Sequence, residues 1–113
     1  VTWLVADASR LPLPADAVDR VLCFSVWPHF DDPAATAHEL ARVLRRRGRL
    51  AVWHLASRAR INEIHATAPA PVRCDLLAPG AETAALLAAA GLMTTRVVDD
   101  DSRYLVSAVK GDH

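Results

Sequence analysis

The chain has 113 residues, of which 52% are hydrophobic and 23% are charged, which is typical of one ordinary globular domain rather than of a disordered chain. The 13 basic and 13 acidic residues balance, so binding to nucleic acid through its phosphates has little electrostatic support. No apolar run approaches the roughly 18 residues needed to cross a bilayer, and no leader peptide is recognisable, so we expect a cytoplasmic protein with no membrane partner.

The first strands are predicted from two apolar runs. Residues 2–6 end in Asp7 and predict a short buried strand, which a proline-containing loop over residues 9–19 follows. Residues 20–26 are almost continuously apolar, which is typical of a parallel strand covered on both faces. The chain thus opens on what resembles an interior strand, with no glycine-rich turn before it.

The next segment predicts a β-α-β unit. Asp32 is a good N-cap and Pro33 suits the first helical position, so a helix is predicted to begin there. Gly48 is expected to end this helix, and residues 49–55 return to a strand. The loop over residues 27–32 then lies at the C-terminal end of the first strand, where open α/β sheets bind ligands.

The second half predicts two helices and a hairpin. Residues 56–67 have helical character, and residues 82–90 form a strong helix that Gly91 stops. Residues 93–98 and 104–109 are expected to pair as antiparallel strands at the end of the sheet.

The two cysteines, Cys23 in a strand and Cys74 in a predicted loop, form neither a disulfide framework nor a zinc site, which fits a reducing compartment. The cluster of arginines around Gly48 is expected to complement a helix dipole rather than to bind nucleic acid. We also expect Trp3 and Trp53 to lie in the core.

A series of short motifs, taken in order, resembles class I S-adenosylmethionine-dependent methyltransferases, and most closely their methyltransferase type 11 branch. The motifs are Asp7-Ala8 with Leu11-Pro12, then Val18-Asp19-Arg20-Val21-Leu22, Phe24-Ser25-Val26, Glu39-Leu40-Ala41-Arg42-Val43-Leu44, Gly48-Arg49-Leu50 and finally Gly91-Leu92.

The resemblance runs from the family's third strand onward and covers nearly the whole chain. It implies an α/β fold, a partial Rossmann-like doubly wound sheet that is mostly parallel with an antiparallel last strand. The family's first two strands and its N-terminal glycine-rich cofactor motif have no counterpart here, and Arg46-Arg47 replaces the usual Pro-Gly. We therefore predict one partial methyltransferase domain over residues 1–113.

The resemblance also implies a site for S-adenosyl-L-methionine. The carboxylate of Asp7 would accept a hydrogen bond from the adenine amino group, since an ionised carboxylate is purely an acceptor. The backbone of Ala8 would approach the adenine ring. The segment lining the methionine side would be Cys23, Phe24 and Ser25. From the residues alone, Asp7 has an alternative role in a turn, where aspartate is common.

Candidate acceptor-binding residues follow. His29 is a candidate general base because its pKa is ordinarily near neutrality, although a loop histidine bonded to a backbone carbonyl is the alternative. Trp27 is a candidate for stacking on a planar acceptor or on adenine. The remaining candidates for contact with substrate are His54, Asn62 and His65, for which ordinary hydrogen bonding is the alternative. His29 with Asp31 lacks further ligands at informative spacing, so no metal site is predicted.

These observations predict S-adenosylmethionine-dependent methyl transfer to an unidentified small molecule, with the isolated chain inactive or incomplete. The alternative is a non-catalytic remnant or an interaction module. Without the intervening strands, the edge of residues 20–26 is unpaired, and such an edge recruits a second copy or a partner chain, pairs with residues 2–6, or aggregates. A nicotinamide-dependent dehydrogenase fits less well, since there is no Tyr-x-x-x-Lys pair.

Overall fold

The structure, a computed structural model, describes residues 2–69 and 76–112, so the predicted loop position of Cys74 lies outside the described residues. Four strands form one sheet in the order β1-β2-β4-β3. Strand β1 pairs in parallel with β2, whereas β4 is antiparallel to both of its neighbours. The strands are β1 (Val18–Phe24), β2 (Leu44–His54), β3 (Leu92–Asp99) and β4 (Tyr104–Lys110).

The predicted β-α-β unit is confirmed. Helix α1 (Pro33–Val43) joins the parallel strands, and the Asp32 carboxylate accepts the N–H of Ala35 at 3.0 Å as an N-cap. Its buried stripe packs against the sheet and comprises Thr36, Ala37, Leu40, Ala41 and Val43.

Gly48 does not cap this helix, which is a correction. Helix α1 ends at Val43 and β2 begins at the next residue, so the arginine cluster lies within β2. The register with β1 shifts across this segment, and Arg47 has a left-handed φ of 65°. A Cβ on Gly48 would lie 2.6 Å from the carbonyl oxygen of Arg45, so the irregularity itself requires glycine.

The second half follows the prediction. Helix α2 (Arg58–Ala66) follows β2, and helix α3 (Gly80–Ala89) precedes the β3-β4 hairpin. Gly91 follows α3 with a φ of 92°, a conformation that glycine adopts without strain. None of the helices in the described ranges is long and apolar enough to cross a membrane.

The predicted first strand is wrong. Residues 2–6 have no strand conformation and are exposed, including Trp3, which is 90% exposed rather than in the core. An apolar run becomes a strand only when a neighbour satisfies its N–H and C=O groups, and no described strand pairs with it. As a result the sheet is not mostly parallel, because one of its three strand pairs in the described residues is parallel.

The expectation that the first parallel strand is covered on both faces is also wrong. Helices α1 and α3 contribute to the core on one face, together with Cys23 of β1. The neighbouring Leu22 and Phe24 point to the opposite face and are 61% and 44% exposed. We call this face the open face; in the described residues it carries Arg20, Leu22, Phe24, Arg49, Ala51, Trp53, Thr95, Leu105, Ser107 and Val109.

Candidate functional site

The chain turns sharply where β1 ends. Ser25 has a φ of 56°, in the left-handed region that non-glycine residues seldom adopt, and its N–H still donates to the Trp53 carbonyl of β2 at 2.9 Å. The Ser25 side chain is exposed. The strand therefore ends in a turn that is bonded to β2 and lies at the carboxyl end of the parallel pair.

A short 3-10 helix (Trp27–His29) follows this turn. The Trp27 side chain is 2% exposed and packs edge-on against Phe30, with ring centroids 5.5 Å apart. Beside it lies a cavity of about 290 Å³ whose wall includes Trp27, Phe30, Asp31 and Leu76. Burial of Trp27 fixes the turn, so that His29 is presented on its exposed side.

Three predicted histidines are brought together from separate elements. His29 lies after β1, His54 is the last residue of β2, and His65 lies in α2. The rings of His29 and His65 have centroids 4.8 Å apart, and both influence the charge state of His54. We call these three side chains the histidine cluster.

His54 is the innermost member of the cluster. It is 2% exposed, and neither Nδ1 nor Nε2 has a hydrogen-bond partner among the described residues. Burial lowers the pKa of His54, and the charges of His65 and His29 lower it further, so the neutral imidazole is favoured. A buried polar group without a hydrogen bond lowers the stability of the fold by about 1–3 kcal/mol. Such groups are therefore rare in protein cores.

The hydroxyl of the neighbouring Tyr104 is already paired. The Tyr104 ring contacts His54 edge-on at 5.9 Å, but its hydroxyl donates to the Ala78 carbonyl at 2.9 Å and lies 2.6 Å from the Thr83 hydroxyl. Within the described ranges, no three His, Cys, Asp or Glu side chains are grouped so that they could hold a metal ion. Within the cluster, the ring of His54 keeps hydrogen-bonding capacity that no described residue uses.

Asn62 has a structural partner. Its side-chain oxygen accepts the N–H of Leu77 at 2.7 Å, and its amide nitrogen donates to the Leu77 carbonyl at 3.2 Å. This pair of hydrogen bonds fastens α2 to the segment before α3. His65 lies on the same helix, so the pair also helps to hold His65 near the strand ends.

Asp7 lies in an exposed turn outside the sheet. Its Oδ1 accepts hydrogen bonds from the Ser9 N–H at 2.9 Å and the Ser9 hydroxyl at 2.7 Å, and these bonds lower the pKa of Asp7. The turn role considered from the sequence is therefore present, and the cofactor role of Asp7 stays a prediction. Ala8 beside it is half-buried.

The side chains at the end of β1 point to different faces. Cys23 is buried among core residues, and burial raises the pKa of its thiol to about 11. Phe24 lies on the open face, where it packs edge-on against Trp53 with ring centroids 5.1 Å apart. Only the backbone of Cys23 can therefore line a crevice at the strand end.

The sequence-based prediction assigns these residues to the two ends of S-adenosylmethionine. Asp7 is an exposed, ionised acceptor of the kind that an adenine amino group needs, and the Ser25 turn exposes backbone at the strand end. Residues 2–6, which precede Asp7, pair with no strand of the described sheet.

The sequence pointed to each histidine but not to the cluster. His29 follows β1 and His54 ends β2, and that shared placement at the strand ends was the available signal. The position of His65 depends on the hydrogen bonds between Asn62 and Leu77, which no local sequence pattern predicts.

Comparison with known proteins agrees with this geometry. A family model described as "Methyltransferase domain" matches residues 1–52. Methyltransferase GfsG of Streptomyces halstedii is 36% identical over 76 residues, which are 67% of this chain and 27% of that protein.

Solved structures share the fold. A Haloferax volcanii methyltransferase, in complex with the Trm112 methyltransferase activator, superposes with a TM-score of 0.77 at 19% identity over 96% of this chain and 61% of that one. An S-adenosylmethionine-dependent methyltransferase from Aquifex aeolicus superposes with a TM-score of 0.68 at 23% identity. The match covers 94% of this chain and 53% of that one.

The chain thus spans about a quarter of the length of GfsG and between half and two thirds of the two solved structures. The sequence match and the shared fold, including the β-α-β unit and the closing hairpin, point to the same family. This chain belongs to the class I S-adenosylmethionine-dependent methyltransferases, and its 113 residues correspond to part of their domain.

Proposed function

We propose that the protein carrying this chain transfers a methyl group from S-adenosylmethionine to a small-molecule acceptor at the carboxyl ends of β1 and β2. The observation that carries the proposal is the convergence of the histidine cluster at the carboxyl ends of these two strands. Ligands bind at this end of open α/β sheets, and family membership supplies the reaction class.

The cofactor side of the site is assigned to five residues. Asp7 and Ala8 bind the adenine, and the segment Cys23, Phe24 and Ser25 lines the methionine portion. When bound, S-adenosylmethionine supplies an electrophilic methyl group on a sulfonium. The chain's own contribution is to position the reactants and to exclude water, which is the main source of rate in such transfers.

The acceptor side is assigned to the loop and the cluster. His29, exposed at the edge of the cluster, takes up the proton that the acceptor loses. His54 and His65 bind the acceptor, Trp27 forms the wall beside it, and Asn62 holds α2 in place through Leu77.

Calorimetric titration of the 113-residue chain with S-adenosylhomocysteine tests the cofactor side. We expect saturable heat of binding that Asp7→Ala removes. Asp101→Ala is the matched control, because it removes an exposed aspartate from the β3-β4 turn, and it should leave binding intact. Absence of any binding heat in the unsubstituted chain would contradict a cofactor site in these residues.

A second candidate function is an interaction module that a partner chain completes. The open face and the outer edge of β1 favour it, since β1 is hydrogen-bonded on one side only within the described sheet. A homodimer or a different polypeptide would satisfy that edge. A structure that shares this fold was solved in complex with an activator protein, so a protein partner is compatible with the fold.

A further inference from the structure

We infer that His54 binds the reacting group of the acceptor directly, and that this group is a neutral hydroxyl. The inference rests on the proposed function, because it names the class of acceptor that this site takes. It also shifts the closest contact from the exposed His29 to the innermost member of the histidine cluster.

The cluster runs inward from solvent. His29 is exposed, His65 is 8% exposed and His54 is 2% exposed. The exposure of the three side chains thus falls from His29 to His54, and the ring of His54 has hydrogen-bonding capacity that no described residue uses.

The surroundings of His54 contain no ready substitute for such a ligand among the described residues. Tyr104 offers the edge of its ring, and its hydroxyl is committed to Thr83 and Ala78. The described residues contain no group of three His, Cys, Asp or Glu side chains that could hold a metal ion.

The state of the ring selects the ligand chemistry. A neutral imidazole has one N–H donor and one acceptor nitrogen. A hydroxyl can donate to the acceptor nitrogen, and this donated hydrogen bond is the contact that we assign to the acceptor. A carboxylate can only accept, and an ammonium can only donate.

Charge separates the candidates further. The same burial and neighbouring imidazoles that favour the neutral form of His54 also oppose a positively charged ligand beside it. An ammonium acceptor would bring that charge in, whereas a hydroxyl brings none. When a hydroxyl donates to His54, its oxygen keeps both lone pairs available on the side away from the ring.

Titration of the isotope-labelled chain with phenol, followed by the imidazole ¹⁵N resonances, tests the inference without any cofactor. We expect a saturable shift of the His54 resonances. Anisole has the same ring but cannot donate, so its binding should be about tenfold weaker. Equal responses to phenol and anisole, or a His54 signal that phenol leaves unchanged, would overturn the inference.

Substitution gives the second arm. His54→Phe keeps a planar ring and removes both nitrogens, so it should abolish the preference for phenol over anisole. His38→Phe is the matched control, because His38 is exposed on α1, and it should leave the preference intact. If His54→Phe fails to fold, the comparison of phenol and anisole on the unsubstituted chain still decides.

The two proposals fail separately. Phenol selectivity without binding of S-adenosylhomocysteine would retain the hydroxyl site and remove the cofactor assignment. Binding of S-adenosylhomocysteine without phenol selectivity would retain the proposed function and remove the hydroxyl acceptor.

Discussion

Glu39 joins the N-terminal loop to α1 through one carboxylate. Its Oε2 accepts the Leu11 N–H, and its Oε1 lies 2.6 Å from Nε of Arg42, one turn along the helix. Arg42 also donates to the Leu11 carbonyl at 3.2 Å, so one ion pair satisfies both backbone groups of Leu11. These bonds lower the pKa of Glu39 from 4.5 to about 2, with the bond from Arg42 the largest cause.

The lowered pKa predicts acid sensitivity with a definite sign. As pH falls below about 4.5, the unfolded chain takes up a proton at Glu39 while the folded chain does not, so acidification favours unfolding until about pH 2. Glu39→Gln removes this linkage. We expect the gap in free energy of unfolding between the unsubstituted chain and Glu39→Gln to be largest near neutral pH and to narrow across that range.

Urea titrations at a series of pH values measure this gap. Glu82→Gln is the control, because it makes the same change on the exposed surface of α3, and its gap should stay small at every pH. A gap for Glu39→Gln that does not vary between neutral pH and pH 2 would show that the carboxylate does not anchor the loop.

At the scale of elements, a single lysine closes the C-terminus of α1. Nζ of Lys110, at the end of β4, donates to the carbonyls of Ala41 at 2.8 Å and Leu44 at 2.7 Å, and it pairs with Asp16 at 2.9 Å. It therefore does the work that the sequence had assigned to Gly48 and the arginines. Carbonyls at a helix end need such partners when no further turn supplies them.

Lys110→Met should lower the free energy of unfolding by about 1–3 kcal/mol, because it leaves part-buried carbonyls without donors. Arg49→Met is a suitable comparison, since it removes a cation from an exposed position of β2, and surface changes of this kind stay within about 0.5 kcal/mol. Denaturation followed by circular dichroism measures both. Equal effects of the two substitutions would mean that Lys110 does not act as a cap.

Local sequence signals predicted some of the helix ends, whereas features that depend on contacts between distant residues were not predicted. The start of α1 at Asp32-Pro33 and the end of α3 at Gly91 were predictable, because capping, the fixed φ of proline and the conformational freedom of glycine are local properties of the backbone. Residues 2–6 have strand composition, but a strand also needs a partner, which composition cannot specify. Lys110 lies 66 residues from Leu44, and no pattern in the sequence connects them.

The same limit applies to the candidate site. His29 and His54 could be placed at one sheet end from topology alone, because parallel strands end together. The 4.8 Å approach of His65, and the burial that leaves His54 unpaired, depend on packing between α2 and the rest of the molecule. Prediction therefore gave the candidates, and only the fold gave their arrangement.

At the scale of the whole molecule, the described helices cover one face of the sheet and leave the open face uncovered. The open face includes a groove of about 550 Å³, whose lining includes Leu22, Ala51 and Val109 with Arg20 and Arg49 beside them. An unpaired strand edge next to an apolar face is a site of association, because pairing satisfies the edge and burial removes apolar surface from water. This is the feature that favours a completing partner.

We expect the chain alone to self-associate at about 100 µM, with β1 at the contact. Leu22→Lys places a charge on the open face of that edge strand and should shift sedimentation toward the monomer. Leu55→Lys makes the same change at a leucine that is 66% exposed beyond the end of β2, so it should leave association unchanged. A chain that stays monomeric, or equal effects of both substitutions, would remove β1 as a docking edge. If only Leu22→Lys dissociates the assembly, the surface that a completing chain would cover lies on β1, because the charge acts there and not at exposed leucines in general.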